Sequence, residues 1–161
     1  MMGAGKVSIL WVLSLSCGAL LASYSAQYLF GLTPCNLCLW QRYAHIGALA
    51  VGIACLVRPS RTPLMAALYL ILLAGLLISS YHTAVIYGLL ESKCAASIDE
   101  SSIEAYKASL FAQNRPCSND SWLMLGLPVS IWNILLSGLE VTLVLKFALS
   151  HRKQHSHLST S

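Results

Sequence analysis

The chain has 161 residues, 57% of them hydrophobic and 10% charged, where a soluble domain carries about a quarter charged residues. That balance excludes an ordinary soluble enzyme and indicates one membrane bundle without a separate soluble domain. The formal net charge of +4 is no nucleic-acid signal, because the basic residues cluster at the ends of apolar runs, and no nucleotide loop, zinc-finger spacing or internal repeat occurs.

Four stretches reach the roughly 20 apolar residues that a bilayer crossing needs. The first runs from Val7 to about Phe30. A cleaved signal peptide is the alternative for it, with small residues at Ser23, Ser25 and Ala26, but the run is long and Tyr24 sits badly before a cut after Ala26. A lipoprotein reading of Cys17 is weaker, since Ser14 stands where such sites usually want Leu. The second stretch covers about Leu39 to Val57, the third Leu64 to Leu90 and the fourth Val129 to Leu149. Pro63 and Pro128 stand just before the last two, as at helix starts. The expected fold is an all-α membrane protein, a four-transmembrane-helix bundle in one domain over residues 1–150. A polar loop spans about 91–127, and residues 151–161 read as a disordered tail.

Orientation follows from the Lys and Arg distribution. One side carries Lys6, Arg58, Arg61, Lys146, Arg152 and Lys153 with no acid among them, and the other carries Arg42, Lys93, Lys107 and Arg115. The first side is expected to be cytoplasmic, with both termini inside. The loop holding Cys35 and Cys38 and the loop holding Cys94 and Cys117 then face outward together, where disulfides form and persist. Cys17 and Cys55 fall within helices and are read as small hydrophobes.

Cys35 and Cys38 form the run Pro34-Cys35-Asn36-Leu37-Cys38 at the start of the second helix. Two intervening residues let the sulfurs meet, and the helix N-terminus favours a thiolate. A structural clamp, or half of a metal site completed by Cys94 and Cys117, is the alternative. Arg42 follows Cys38 by one helical turn, so it shares that face. It either stabilises a thiolate or the oxygen of a bound acceptor, or snorkels to head groups. Cys94 and Cys117 are separated by 22 residues that include Asp99, Glu100 and Glu104. Residues 97–111 have the pattern of a short surface helix with capping boxes, in a loop that either carries a transferable disulfide or is merely stapled by one. His82 lies in the outer third of the third helix, where an ionisable residue signals function by default, here a hydrogen bond or proton relay to a quinone carbonyl. His45, near the outer end of the second helix, and Glu140, two turns beyond Asn133 on the fourth, have no assignable role in the sequence. A buried carboxylate at Glu140 either moves protons or bonds a neighbouring helix.

These residues together resemble a known family. The run Pro34 to Arg42, with its C-x-x-C-x-(aromatic)-x-Arg pattern, is similar to the signature of the DsbB family of membrane disulfide-bond formation proteins. Tyr81-His82-Thr83, the segment Cys117 to Trp122, Leu125-Gly126-Leu127-Pro128 and Trp132-Asn133 agree with it, and the resemblance covers about Val7 to Leu149. It implies a bacterial inner-membrane thiol oxidase with its active cysteines on the periplasmic side. A DsbA-like thioredoxin-fold partner would attack the Cys94–Cys117 disulfide at Cys94. Cys117 would then exchange with Cys35, and Cys38 would face a bound quinone (ubiquinone or menaquinone) beside Arg42 and His82. Electron flow from such a dithiol protein through a DsbB-type protein to quinone is how a bacterial periplasm is kept oxidising. Gln41 departs from those members that carry an acid before the arginine. A vitamin K epoxide reductase-like enzyme, a haem carrier using His45 and His82, and a non-catalytic adaptor with structural loop disulfides are the competing readings.

Overall fold

The computed structural model describes residues 4–58, 62–90 and 123–159. Four helices carry the fold: α1 (Ala4–Leu29), α2 (Asn36–Val57), α3 (Thr62–Ile86) and α4 (Val129–Ser159). A two-stranded antiparallel hairpin, β1 (Leu123–Met124) and β2 (Leu127–Pro128), precedes α4. The helices form a ring in which α2 packs between α1 and α3, and α4 closes against α1 and α3.

The sequence periodicity explains the ring. Buried residues recur at spacings of three, four or seven on each helix, alternating three and four on α2 and α3, as along a bundle seam. On α2 the seam is Gln41, His45, Ala48, Gly52 and Cys55. On α3 it is Leu68, Leu72, Gly75, Ser79 and His82, and on α4 it is Ser130, Ser137, Glu140 and Val144. At one end of the bundle Ile9, Val12, Ala48, Cys55, Leu68, Leu72 and Val144 build an apolar core. Toward the other end the seams turn polar, with Gln41, Arg42, His45, His82 and Ser130 all buried.

The outer surface is apolar. Trp11 (59% exposed), Leu21, Leu70, Leu77 and Leu135 point away from the bundle. Polar inside and apolar outside is the arrangement that a lipid surrounding selects. Spans Lys6–Leu29, Pro63–Ile86 and Val129–Leu149 are long and apolar enough to cross a membrane. α2 has 22 residues, about 33 Å of helix at the standard rise, but Gln41, Arg42 and His45 lower its hydropathy.

Some boundaries differ from the sequence expectation. α2 begins at Asn36, three residues before the apolar run, because Cys35 is its N-cap and its Sγ accepts the Cys38 N–H. α3 ends at Ile86 rather than Leu90. Gly88 adopts φ 69° there, and the bonds Gly88 N–H to Val85 O and Leu89 N–H to Ala84 O make a Schellman stop. The stretch expected to be a disordered tail from 151 is helical through Ser159, since no Gly or Pro follows Gly138 to break the helix. The hairpin replaces the last part of the expected 91–127 loop. Leu125 (φ 54°) and Gly126 (φ 80°) supply the two positive φ values of a tight hairpin turn, and the Trp132 indole N–H donates to Met124 O at 3.0 Å, pinning the hairpin to α4. Cys94, Cys117 and the helix expected over 97–111 lie outside the described residues.

At Gly75 a Cβ would meet the Cβ of Ala44 on α2 at 3.2 Å and Ser137 Oγ on α4 at 4.0 Å, whereas at Gly138 it meets nothing within 4 Å. Gly75→Val is expected to destabilise the bundle by ~1–3 kcal/mol. This should read as a thermal midpoint in detergent several degrees lower by near-UV circular dichroism, while Gly138→Val leaves the midpoint close to wild type.

Candidate functional site

The site begins with the N-terminal turn of α2. An N-cap residue places its side chain over the first free backbone N–H groups, and here the capping atom is sulfur: Cys35 Sγ accepts the Cys38 N–H at 3.4 Å. The same turn brings Cys38 Sγ to 3.0 Å from Cys35 Sγ, with no disulfide between them. From α3, His82 Nε2 approaches Cys35 Sγ at 3.6 Å. Its other nitrogen, Nδ1, lies 3.3 Å from the Gln41 side-chain amide. A Gln41 N–H donated to Nδ1 leaves the ring proton on Nε2, aimed at Cys35. Gln41, read from the sequence only as a departure from an acidic residue, thus holds the imidazole as a donor to sulfur.

These contacts act on Cys35. The hydrogen bond from Cys38 lowers its pKa to about 4, with His82 and the Cys38 backbone N–H also lowering it and burial opposing them. At neutral pH Cys35 is therefore a thiolate that accepts the Cys38 S–H. The Cys35, Cys38 and His82 ligand atoms lie within 4.8 Å of one another, three of the four nitrogen or sulfur ligands that a closed zinc site takes.

Arg42 is 9% exposed and does not reach outward to head groups. Its Nε donates to Ser23 Oγ, Nη1 to Gln27 Oε1, and Nη2 to Ser23 O at 3.1 Å. The Tyr24 ring lies 4.9 Å beneath the guanidinium carbon, in cation–π contact. Ser23 and Gln27 lie one turn apart on α1; the sequence marked Ser23 only as a small residue of a possible cleavage region and did not mark Gln27, although their four-residue spacing makes a polar stripe. Among the described residues no carboxylate lies within ion-pair distance of Arg42, so its charge is offset by neutral acceptors and a ring.

Cys35, Cys38, Gln41, Arg42, His45 and His82 all line one cavity of about 570 Å³, whose remaining wall is mostly apolar side chains of α1 and α4. That volume is within the usual range for small-molecule sites. The structure therefore brings together four of the six expected site residues, Cys35, Cys38, Arg42 and His82. The other two, Cys94 and Cys117, fall outside the described residues. Each ring nitrogen of His45 and His82 lies within 3.6 Å of a protein side-chain atom.

The family model described as "Disulfide bond formation protein DsbB" matches residues 6–147. A "Disulfide bond formation protein B" of Pasteurella multocida is 27% identical, over 89% of this chain and 86% of its own length. An uncharacterised protein of Rickettsia prowazekii is 26% identical, over 82% of this chain and 81% of its own length.

A Cys35 pKa of about 4 means that the thiolate persists down to acid pH. Peptide-resolved iodoacetamide labelling of the reduced protein is expected to titrate at Cys35 with a midpoint near that value. His82→Ala, which removes one donor to the thiolate, should move the midpoint upward. A midpoint that His82→Ala leaves in place would count against the Nε2–sulfur contact.

Proposed function

The chain belongs to the family of disulfide bond formation protein DsbB, and on that premise we propose that it is a membrane thiol oxidase passing electrons from a periplasmic dithiol protein to a quinone. Family membership supports disulfide bond formation as its general role. The observation that carries the finer reading is the Cys35–Cys38 pair, sulfurs 3.0 Å apart, opening onto an apolar cavity with a buried cation on its wall.

The proposed route starts at Cys94, where a DsbA-like thioredoxin-fold protein attacks the Cys94–Cys117 disulfide. Cys117 then exchanges with Cys35, and Cys38 is released toward the cavity. Each exchange is thiolate attack on a disulfide sulfur, with a rate set by thiolate fraction and access. The bundle sits in the bacterial inner membrane with α2 crossing beside the three more apolar helices. Both termini lie on the cytoplasmic side and the four cysteines face the periplasm, as the Lys and Arg distribution supports.

The cavity residues suit a quinone headgroup. When bound, a quinone supplies a sink for two electrons and two protons. Cys35 and Cys38 deliver the electrons by closing their disulfide at the cavity wall. Three of the five guanidinium N–H groups of Arg42 are committed to α1, which holds its charge in place beside Cys38 for a thiolate or a carbonyl oxygen. His82 keeps an N–H on Cys35. The apolar wall excludes water, so these charges act at low dielectric.

Purified protein given a reduced thioredoxin-fold dithiol donor and quinone without oxygen is expected to turn over, and Cys35→Ser should abolish turnover. Cys38→Ser should also abolish quinone reduction yet still trap the donor as a mixed disulfide at Cys94. Full turnover in Cys38→Ser would overturn its assignment as the thiol facing the acceptor. Arg42→Met should weaken quinone binding about tenfold or more, the ~1.5–3 kcal/mol of a charged hydrogen bond, read as a higher half-saturating concentration.

A further inference from the structure

Beside the cavity, a second set of buried polar groups lies outside the thiol chemistry. Glu140 on α4 is 0% exposed. Its Oε1 accepts the Ser16 hydroxyl from α1 at 2.7 Å, and its Oε2 has no hydrogen-bond partner. The nearest candidate is His45 Nδ1 from α2, 3.8 Å away. Ser16 Oγ also lies 3.3 Å from His45 Nδ1.

The hydrogen positions in this set can be deduced from its far end. The Ser79 hydroxyl donates to Gly75 O at 2.8 Å, so its oxygen accepts the Asn133 amide N–H at 2.6 Å. Asn133 Oδ1 is then an acceptor, and His45 Nε2, 3.0 Å away, must donate to it. Neutral His45 therefore has a bare lone pair at Nδ1. The Ser16 proton is already given to Oε1. Two buried acceptors, Nδ1 and Oε2, face each other with no hydrogen between them, and one added proton satisfies both. An ionised carboxylate with an unpaired oxygen would otherwise be buried at a cost of several kcal/mol. Among the described residues, the other titratable or charged groups lining the cavity that His45 lines are Cys35, Cys38, Arg42 and His82. From α1 the pair is faced by Ser16, and α3 contributes Ser79 through Asn133.

Resting on the oxidase reading above, we propose that Glu140 and His45 hold one shared proton and that His45 delivers it into the cavity to the electron acceptor. The proton balance calls for such a donor. With Cys35 as thiolate and Cys38 as thiol, closing the disulfide breaks one S–H bond, forms one S–S bond and releases two electrons with one proton. Reduction of a quinone to the quinol takes two electrons and two protons. The Glu140–His45 pair supplies the second proton: His45 gains a proton at Nδ1 from Glu140 and gives one up at Nε2, and His45 and Asn133 both line the cavity.

Two measurements test this. Infrared spectra of the intact protein in detergent should show a protonated carboxylic acid band at neutral pH that is absent in Glu140→Gln. Ser16→Ala, which keeps the carboxyl and removes its hydrogen bond, should shift that band. In single-turnover quinone reduction by the pre-reduced protein, the wild-type rate should stay flat as pH rises above neutral. Glu140→Gln and His45→Gln should fall with rising pH, by about a hundredfold at the alkaline end, with the double variant no slower than either single. Glu140→Asp should recover most of the loss, and Cys35 labelling should be unchanged throughout. A wild-type protein that reduces no quinone overturns the oxidase reading and this relay with it. Quinone reduction whose pH profile is the same in Glu140→Gln, or a carboxyl with no acid band at neutral pH, overturns the relay alone.

Discussion

A single run of buried polar contacts touches all four helices: Ser16 on α1, Glu140 and Asn133 on α4, His45 on α2 and Ser79 on α3. Lipid tails are as apolar as leucine, so hydrophobic burial cannot distinguish one helix arrangement from another inside a bilayer. Directional polar contacts can. Each is modest, about 0.6 kcal/mol on average in membrane helices, but they are geometrically exclusive. A one-residue rotation of any helix would carry its polar seam toward lipid. The apolar core at the opposite end fills space, and this run sets the rotation and depth at which the helices meet.

The Cys35–Cys38 pair and His82 depend on that alignment. With α2 and α3 in register through Asn133 and Ser79, His82 arrives one turn beyond Ser79, level with the N-cap of α2. Thr83 on the next position donates to Ser130 Oγ at 2.9 Å, tying α3 to the start of α4. A thiol pair at a helix N-terminus has some thiolate character anywhere. The N–H of an imidazole set by Gln41 adds to it here, and the cavity mouth keeps that pair beside apolar surface.

The legible part of the site was local in sequence. Cys35, Cys38 and Arg42 fall within about two turns of helix, so spacing alone placed them on one face, and His82 stood out as an ionisable residue in an apolar helix. Ser16, Ser23, Gln27 and Gln41 did not stand out, because a single serine or glutamine in a helix carries no chemistry until its partner is known. A signal existed all the same. The three-and-four spacing runs through small and polar residues, such as Ser16, Ser23 and Gln27, and an apolar-only search steps over it. Helix number and order followed from hydropathy, while the ends did not. Cys35 capping extends α2 beyond its apolar run, Gly88 cuts α3 short, and charged residues continue α4 past the apolar limit, each by backbone bonding that hydropathy ignores. Cys94 and Cys117 are expected from topology to share one loop, and both lie outside the described residues.

The anchoring of Arg42 changes what the first helix is. An N-terminal apolar segment in a small membrane protein is commonly treated as an interchangeable leader, good for insertion and nothing else. Here Ser23, Tyr24 and Gln27 form the socket of the cavity's cation, and α1 residues supply part of the cavity wall. That apolar segment is therefore also a wall of the cavity. A chimera that swapped it for a generic anchor would keep Cys35, Cys38, Cys94 and Cys117, and would leave the guanidinium without its seat.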